Sequence, residues 1–190
     1  MRIGVYVGSF NPVHKGHKYV IDYLLDNNYV DKVEVVPTSN YWNKNNLLDI
    51  KNRIKMLKFY ETDKIIINEE LNNLEYTYQV LRELDDKNNE LYLIIGSDNL
   101  PKFHLWERIN EILNYKIIVC QRDNLKMEDY IKQFKNNKNF ILIDNFREFD
   151  ISSTNIRSLI EKNNVSELGN FLDERVLDFI IKNNLYSGKK

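Results

Sequence analysis

Six short runs rich in β-branched residues punctuate the chain: RIGVYV at 2–7, KVEVVP at 32–37, KIIIN at 64–68, LYLIIG at 91–96, KIIVC at 116–120 and FILID at 140–144. A strand with one wet face alternates apolar and polar residues. These runs are almost continuously apolar, which predicts strands covered on both faces. Between them, apolar residues recur every three or four positions, as in HKYVIDYLLDNN (17–28), DIKNRIKMLKFYE (49–61) and TYQVLRELDDK (77–87), the pattern of amphipathic helices. Strand and helix signals alternate, so the expected fold is α/β, a doubly wound Rossmann-like parallel sheet. Beyond about residue 150 the alternation stops. SSTNIRSLIEKN (152–163) and DERVLDFIIKNN (173–184) both read as helices with no strand between them, which predicts a small C-terminal helical cap on the sheet core.

Composition narrows the class. The chain has 190 residues, enough for one well-buried core, and a single domain is expected. Twenty-seven basic and 28 acidic side chains give a net charge of -1, so no global field calls for nucleic acid or an anionic membrane as partner, and any anion binding must be local. One cysteine, Cys120, excludes an intrachain disulfide framework. Met1 leads straight into a strand run, and no apolar stretch approaches the roughly 20 residues that span a bilayer, so a cytoplasmic protein is expected. Homo-oligomerisation is compatible with all of this.

Candidate chemistry sits first in YVGSFNPVHKGHKYV (6–20), which holds two of the three histidines. In open α/β sheets, ligands bind beyond the carboxyl ends of the strands. Gly8 follows the first strand and can adopt angles closed to other residues. Pro12 stiffens the turn, and Gly16 lets the chain enter a helix near His17. Free amides and the dipole at that helix start favour an anion. His14 and His17, three apart, share one side of its first turn, where imidazoles can hydrogen-bond phosphoryl oxygens and stabilise developing charge. The plainer alternative is that one histidine caps a turn and the other packs in the core. No Walker loop or Gly-x-Gly-x-x-Gly fingerprint occurs, and no neighbouring Cys, Asp or third His completes a zinc set, so no protein-bound metal is expected.

A second cluster lies in ISSTNIR (151–157). Ser152, Ser153 and Thr154 offer hydroxyls and amides at a helix start, and Arg157 stands about a turn further on as a permanent, multi-donor cation. An ordinary serine N-cap followed by a solvated arginine is the alternative reading.

GSFNPVHKGH resembles the signature of nucleotidyltransferases with a His-x-Gly-His motif after the first strand, and ISSTNIR is similar to their second, ATP-binding signature. EYTYQVLREL (75–84), IIGSDNLPKFHLWERINEIL (94–113) and LDERVLDFIIKNNLY (172–186) look like elements of the bacterial nicotinate-nucleotide adenylyltransferases. The resemblance implies ATP-dependent adenylyl transfer to nicotinate mononucleotide, giving deamido-NAD and pyrophosphate in NAD biosynthesis. Such an in-line displacement needs positioning and charge neutralisation rather than a covalent nucleophile, and Mg2+ arrives on the ATP phosphates. It further implies that His14, His17 and Arg157 are catalytic. Gly8, Ser9, Phe10, Gly96, Asp98, Ile151, Ser152 and Ser153 join them in binding ATP. Lys44, Thr77, Asp98 and Trp106 meet the acceptor, with Trp106 stacking on the pyridine ring, and Thr77 and the backbone after Trp106 meeting its carboxylate.

Two departures stand out. Asn11 replaces the Asp usual in that family, and GSFNP is the form more often met in nicotinamide-nucleotide adenylyltransferases. After the second strand, PTSNYWNKNN replaces a Pro-Pro-His-basic stretch, leaving Lys44 as its cation. Adenylyl transfer to nicotinamide mononucleotide or pantetheine phosphate is therefore the alternative of the same fold, and a non-catalytic nucleotide-binding module the alternative of another class. His104 is expected to be structural, Trp106 has core packing as its alternative, and Cys120 reads as a buried small hydrophobe.

Overall fold

The computed structural model describes residues 1–39, 47–122, 124–144 and 151–187. The six runs form six parallel strands: β1 (Arg2–Gly8), β2 (Lys32–Pro37), β3 (Ile65–Ile67), β4 (Glu90–Gly96), β5 (Lys116–Cys120) and β6 (Phe140–Ile143). Their order is β3-β2-β1-β4-β5-β6. The chain winds outward from β1 to one edge, returns to β4 at the centre, and winds to the other edge. The carboxyl ends of β1 and β4 thus flank the crevice where the winding reverses, which is where ligands bind in such sheets. β3 is shorter than KIIIN suggested, since only Ile65, Ile66 and Ile67 find partners at the sheet edge.

Residues alternate between faces along each strand, and both faces are buried. Tyr6, Val35, Ile94 and Ile118 point one way, into a core with Leu24 of α1 (Lys15–Asp26) and Met56 of α2 (Ile50–Lys58). Val5, Leu93, Ile117 and Val119 point the other way. They pack with Leu81 of α3 (Thr77–Leu84), Phe103 of α4 (Leu100–Phe103), Ile112 of α5 (Ile109–Ile112) and Met127 of α6 (Met127–Ile131). Each fully buried Leu, Ile or Phe contributes about 1.5–3 kcal/mol, so the sheet is held chiefly by this two-sided burial.

The C-terminal segment is more tightly joined to the sheet than a cap would be. It forms α7 (Ser153–Glu161), α8 (Val165–Phe171) and α9 (Glu174–Lys182), whose Ile156, Leu168, Val176 and Ile180 enter the same core as Tyr6 and Met56. α8 went unanticipated because VSELGNF carries few apolar residues and a glycine. Leu168, 1% exposed, anchors it by a contact that periodicity does not reveal.

Candidate active site

At the end of β1 the backbone turns sharply. Glycine is needed at position 8 for space rather than for unusual angles: among the described residues no glycine has positive φ, and a Cβ on Gly8 would stand 3.1–3.2 Å from the Phe10 ring folded back over it. The left-handed residue of the turn is Phe10 (φ 45°), held there with its ring 3% exposed in the core. Asn11-Pro12 is cis. α1 begins at Lys15, with Gly16 inside its first turn and His14 as N-cap.

The two histidines form one buried unit. Their rings lie 3.7 Å apart, tilted by 30°. The His14 backbone N–H donates to His17 Nδ1 (3.2 Å), and the His17 N–H donates back to the His14 carbonyl (3.0 Å). Burial pushes the His14 pKa down to about 3, with help from the charge of Arg122. Burial likewise drives that of His17 well down, followed by the effects of His14 and Arg122. Both are therefore neutral near pH 7. Because His17 Nδ1 accepts a hydrogen bond, its proton sits on Nε2, leaving one N–H to donate. His17 lines the larger cavity of the cleft, whereas His14 stands behind it with its Nδ1 unpartnered among the described residues.

That cavity, about 660 Å³, is bounded on one side by Gly8, Ser9, Phe10 and Asn11 of the turn, and opposite by Gly96 and Asp98. Ser153, Thr154 and Arg157 at the start of α7 close a third side. Ser152 caps α7, its side chain accepting from the Asn155 N–H (3.1 Å), while the Ser153 hydroxyl donates to the Pro12 carbonyl (3.0 Å). Arg157 donates to the Asn11 carbonyl (2.8 Å) and the Thr154 hydroxyl (3.2 Å). The two signatures thus meet directly. Ser152 and Ile151 lie outside the cavity wall, and Ile151 instead borders a small hollow between α7 and α8.

A second cavity of about 380 Å³ shares Val7 and Trp106 with the first. Its wall is largely apolar, with Leu74, Val80, Leu105 and Ile112, and Thr77 at the start of α3. Trp106 is partly buried, with its ring 4.9 Å from Phe103 in an edge contact, and it lines both cavities. Glu75, Glu107 and Lys102 also line this compartment. Lys44 lies outside the described residues. His104 is exposed at the end of α4 rather than packed, and Cys120 is buried, its thiol pKa pushed up to about 12 by desolvation.

Arg53 and Arg122 lie outside every motif, and the partners of Asn11 and Tyr186 had no signal in theirs. Arg53, fully buried on α2, donates to the carbonyls of Ser9 (2.6 Å) and Leu48 (2.9 Å), holding the turn from behind. Asn11 Oδ1 accepts from the Tyr186 hydroxyl (2.9 Å) and the Leu48 N–H (3.1 Å), so the C-terminal segment ties into the turn at the position of the departure from the family pattern. Arg122, just beyond β5, lines the larger cavity and donates to the Tyr6 hydroxyl (2.6 Å). Its place at the carboxyl end of a parallel strand was the available clue.

Residues 5–159 match the cytidylyltransferase-like family. A relative from Fusobacterium nucleatum, named nicotinate-nucleotide adenylyltransferase, is 34% identical over 96% of this chain and 98% of its own length. One of the same name from Flavobacterium psychrophilum is 34% identical over 98% and 99%. The chain belongs to the nicotinate-nucleotide adenylyltransferase family. Its fold is also that of the Plasmodium falciparum nicotinic acid mononucleotide adenylyltransferase solved with NaAD (TM-score 0.83, 24% identity, 97% of both chains covered). In this adenylyltransferase family member, Arg157→Lys keeps the charge but loses the planar fork that spans Asn11 and Thr154. Its KM for ATP is expected to rise about tenfold, and unchanged steady-state constants would mark Arg157 as a solvated bystander.

Proposed function

We propose that the chain transfers the adenylyl group of ATP to nicotinate mononucleotide. The supporting observation is the pair of cavities divided by Trp106: one walled by a neutral histidine donor and two arginines, the other apolar and sized for a pyridine ring. A 5′-phosphate oxygen of the mononucleotide attacks the α-phosphorus of ATP, the bond from that phosphorus to the β-phosphate bridging oxygen breaks, and pyrophosphate leaves with both electrons. His17 donates to a non-bridging oxygen, while Arg157 and the start of α7 hold the departing phosphates. Mg2+ enters as part of the ATP substrate and neutralises charge on its phosphates. Among the described residues, no cluster of three His, Cys, Asp or Glu is placed to hold a metal of its own. Among the described residues, no helix is long and apolar enough to cross a membrane.

The acceptor is decided in the smaller cavity. Nicotinate differs from nicotinamide by a carboxylate, which the first amides of α3 at Thr77 and the backbone after Trp106 would meet, and ring stacking on Trp106 serves both. Glu107 and Glu75 line the same compartment, so their carboxylates must turn outward when an anion binds. Pyrophosphate release is measured with ATP and each of nicotinate mononucleotide, nicotinamide mononucleotide and pantetheine phosphate. The first is expected to give the highest kcat/KM. Trp106→Ala removes stacking worth about 1–3 kcal/mol, so both pyridine acceptors weaken about five- to a hundredfold while their ratio persists. A parent that prefers the amide overturns the nicotinate reading. A Trp106→Ala protein indistinguishable from the parent returns Trp106 to the core.

A further inference from the structure

The smaller cavity is walled by Thr77 and Val80 of α3, by Ile112 of α5, and by Trp106 and Glu107 of the loop that enters α5. Arg108 stands at the junction of that loop with the helix. It follows Glu107 directly and caps α5 in the left-handed conformation (φ 51°, ψ 41°), a costly one for a residue with a Cβ. Its carbonyl joins α5 by accepting from the Glu111 N–H (2.9 Å). The N–H groups of Glu107 and Arg108, by contrast, have no acceptor among the described residues. Something other than the backbone must fix this part of the loop.

The Arg108 side chain supplies that hold. Its guanidinium carbon lies 5.1 Å from the centre of the Tyr78 ring on α3, and its Nη1 lies 3.9 Å from Glu111 Oε2. Arg82, one turn beyond Tyr78, stands over the same ring at 5.1 Å. It also grips both oxygens of Glu111, Nε donating to Oε1 and Nη2 to Oε2 (2.7 Å). Two guanidiniums, one ring and one carboxylate thus close a circuit of contacts between α3 and α5. Arg82 first, and Arg108 after it, hold the Glu111 carboxyl below its ordinary range. An isolated exposed ion pair contributes little, but a bidentate pair that shares an aromatic ring with a second cation is fixed in geometry as well as in charge. At the far end of the two helices the Tyr115 hydroxyl donates to Asp85 (3.0 Å), so α3 and α5 are joined at both ends, and the circuit is the tie at the cavity.

We propose that Arg108, held by Tyr78 and Glu111, is a positioning residue for the acceptor nucleotide, fixing the distance between the Trp106–Glu107 loop and the start of α3. These are the walls between which the pyridine ring enters, so the proposal rests on the adenylyl-transfer reading above. Arg108 acts through the loop and not by touching the reacting phosphates, because its guanidinium is engaged on the outer side by α3 and Glu111. A wall set in advance spares the acceptor the cost of ordering it on binding. The ATP compartment, whose lining contains none of Tyr78, Arg82, Arg108 and Glu111, is unaffected.

The test reads the two substrates separately. Arg108→Gly accepts the left-handed angle without cost and removes only the side chain. Its KM for nicotinate mononucleotide is expected to rise about tenfold, with KM for ATP within about twofold of the parent. Arg108→Lys keeps a cation over the ring and is expected to stay within about threefold of the parent for both. Tyr78→Leu breaks the same circuit from α3, so the double variant with Arg108→Gly should be no worse than the poorer single one. A parent-like acceptor KM in Arg108→Gly overturns the proposal, and so does an equal rise in both KM values. Losses that multiply in the double variant would overturn it too, since the two side chains would then act independently. Hydrogen exchange needs no substrate. Peptides covering 74–79 and 104–109 are expected to exchange about tenfold faster, together, in Arg108→Gly and in Tyr78→Leu. Parent-like exchange in both variants means there is no such tie. A parent that releases no pyrophosphate with nicotinate mononucleotide, while the variants show the faster exchange, refutes the function reading and leaves the tie between the walls established.

Discussion

His17→Ala is expected to lower turnover by a factor of about 100 or more, because in the proposed transfer the Nε2–H donates to charge that develops only in the transition state. Such a factor corresponds to about 2.7 kcal/mol of transition-state stabilisation. KM for ATP should move much less, since arginine and backbone contacts to the ground-state phosphates persist. Circular dichroism at the assay temperature checks that the protein is still folded, and turnover within twofold of the parent would remove His17 from the mechanism. The same residue leaves a mark on stability. Both histidines have folded-state pKa values below the 6.5 of an unfolded imidazole. Their contribution is thus fully present above that pH, and is lost as pH falls from there toward the folded value, about 3 for His14. Between pH 6.5 and 5 each such histidine steepens the decline by up to about 1.4 kcal/mol per pH unit. Urea unfolding over that range should show His17→Ala taking up one proton fewer on unfolding than the parent. An identical pH slope would mean that His17 is not held neutral.

Arg53→Met is expected to destabilise the protein by about 2–4 kcal/mol and to reduce kcat/KM for ATP about tenfold or more. Two charge-assisted donors disappear, and the carbonyls of Ser9 and Leu48 lose partners in a partly buried stretch behind the turn. Leaving one buried acceptor unsatisfied costs about 1–3 kcal/mol. Some of that is offset, because the mutant no longer buries a charge, whose desolvation already pulls the Arg53 pKa below its ordinary value. The catalytic loss follows from position. Ser9 precedes the left-handed Phe10 that lines the cavity, and a shift of about 1 Å in such a turn can cost about a hundredfold in rate. For a chain of this size 2–4 kcal/mol lowers Tm by about 5–15 °C. Thermal melting and ATP kinetics at a temperature where both proteins are folded provide the check. An unshifted Tm with parent-like kinetics would show that the turn holds itself.

The family resemblance and the geometry of the cleft arrive at the same chemistry by separate routes. The signatures GSFNPVHKGH and ISSTNIR lie more than 130 residues apart, and the Arg157 fork bonds the Asn11 carbonyl of the first from within the second. The Asn11 departure acquires a use in the fold. A neutral amide oxygen there accepts from Tyr186 and Leu48, fastening the C-terminal segment and the approach to α2 onto the phosphate turn. A function assigned to Asn11 from its missing charge alone would overlook this.

By itself the sequence determined the six strands, the five longer amphipathic helices and the two signature turns. Those depend on local preferences: β-branched apolar runs, a helical period of 3.6 residues, and capping groups at a chain reversal. The tertiary structure alone decided that β4 returns beside β1, and hence that Gly96, Asp98 and Arg122 face His17. It also decided that Phe10 rather than Gly8 takes the left-handed angle, that Gly96 is small to let Arg122 pass, and that Tyr186 fastens Asn11 from 175 residues away. Arg53, Arg122 and Tyr186 look like ordinary surface residues in the chain, because periodicity reports which face a residue takes within its own element and carries nothing about what packs against that face. Partners so far apart in sequence are selected by the strand order and by the need to satisfy buried donors and acceptors, and those constraints exist only once the layers have closed.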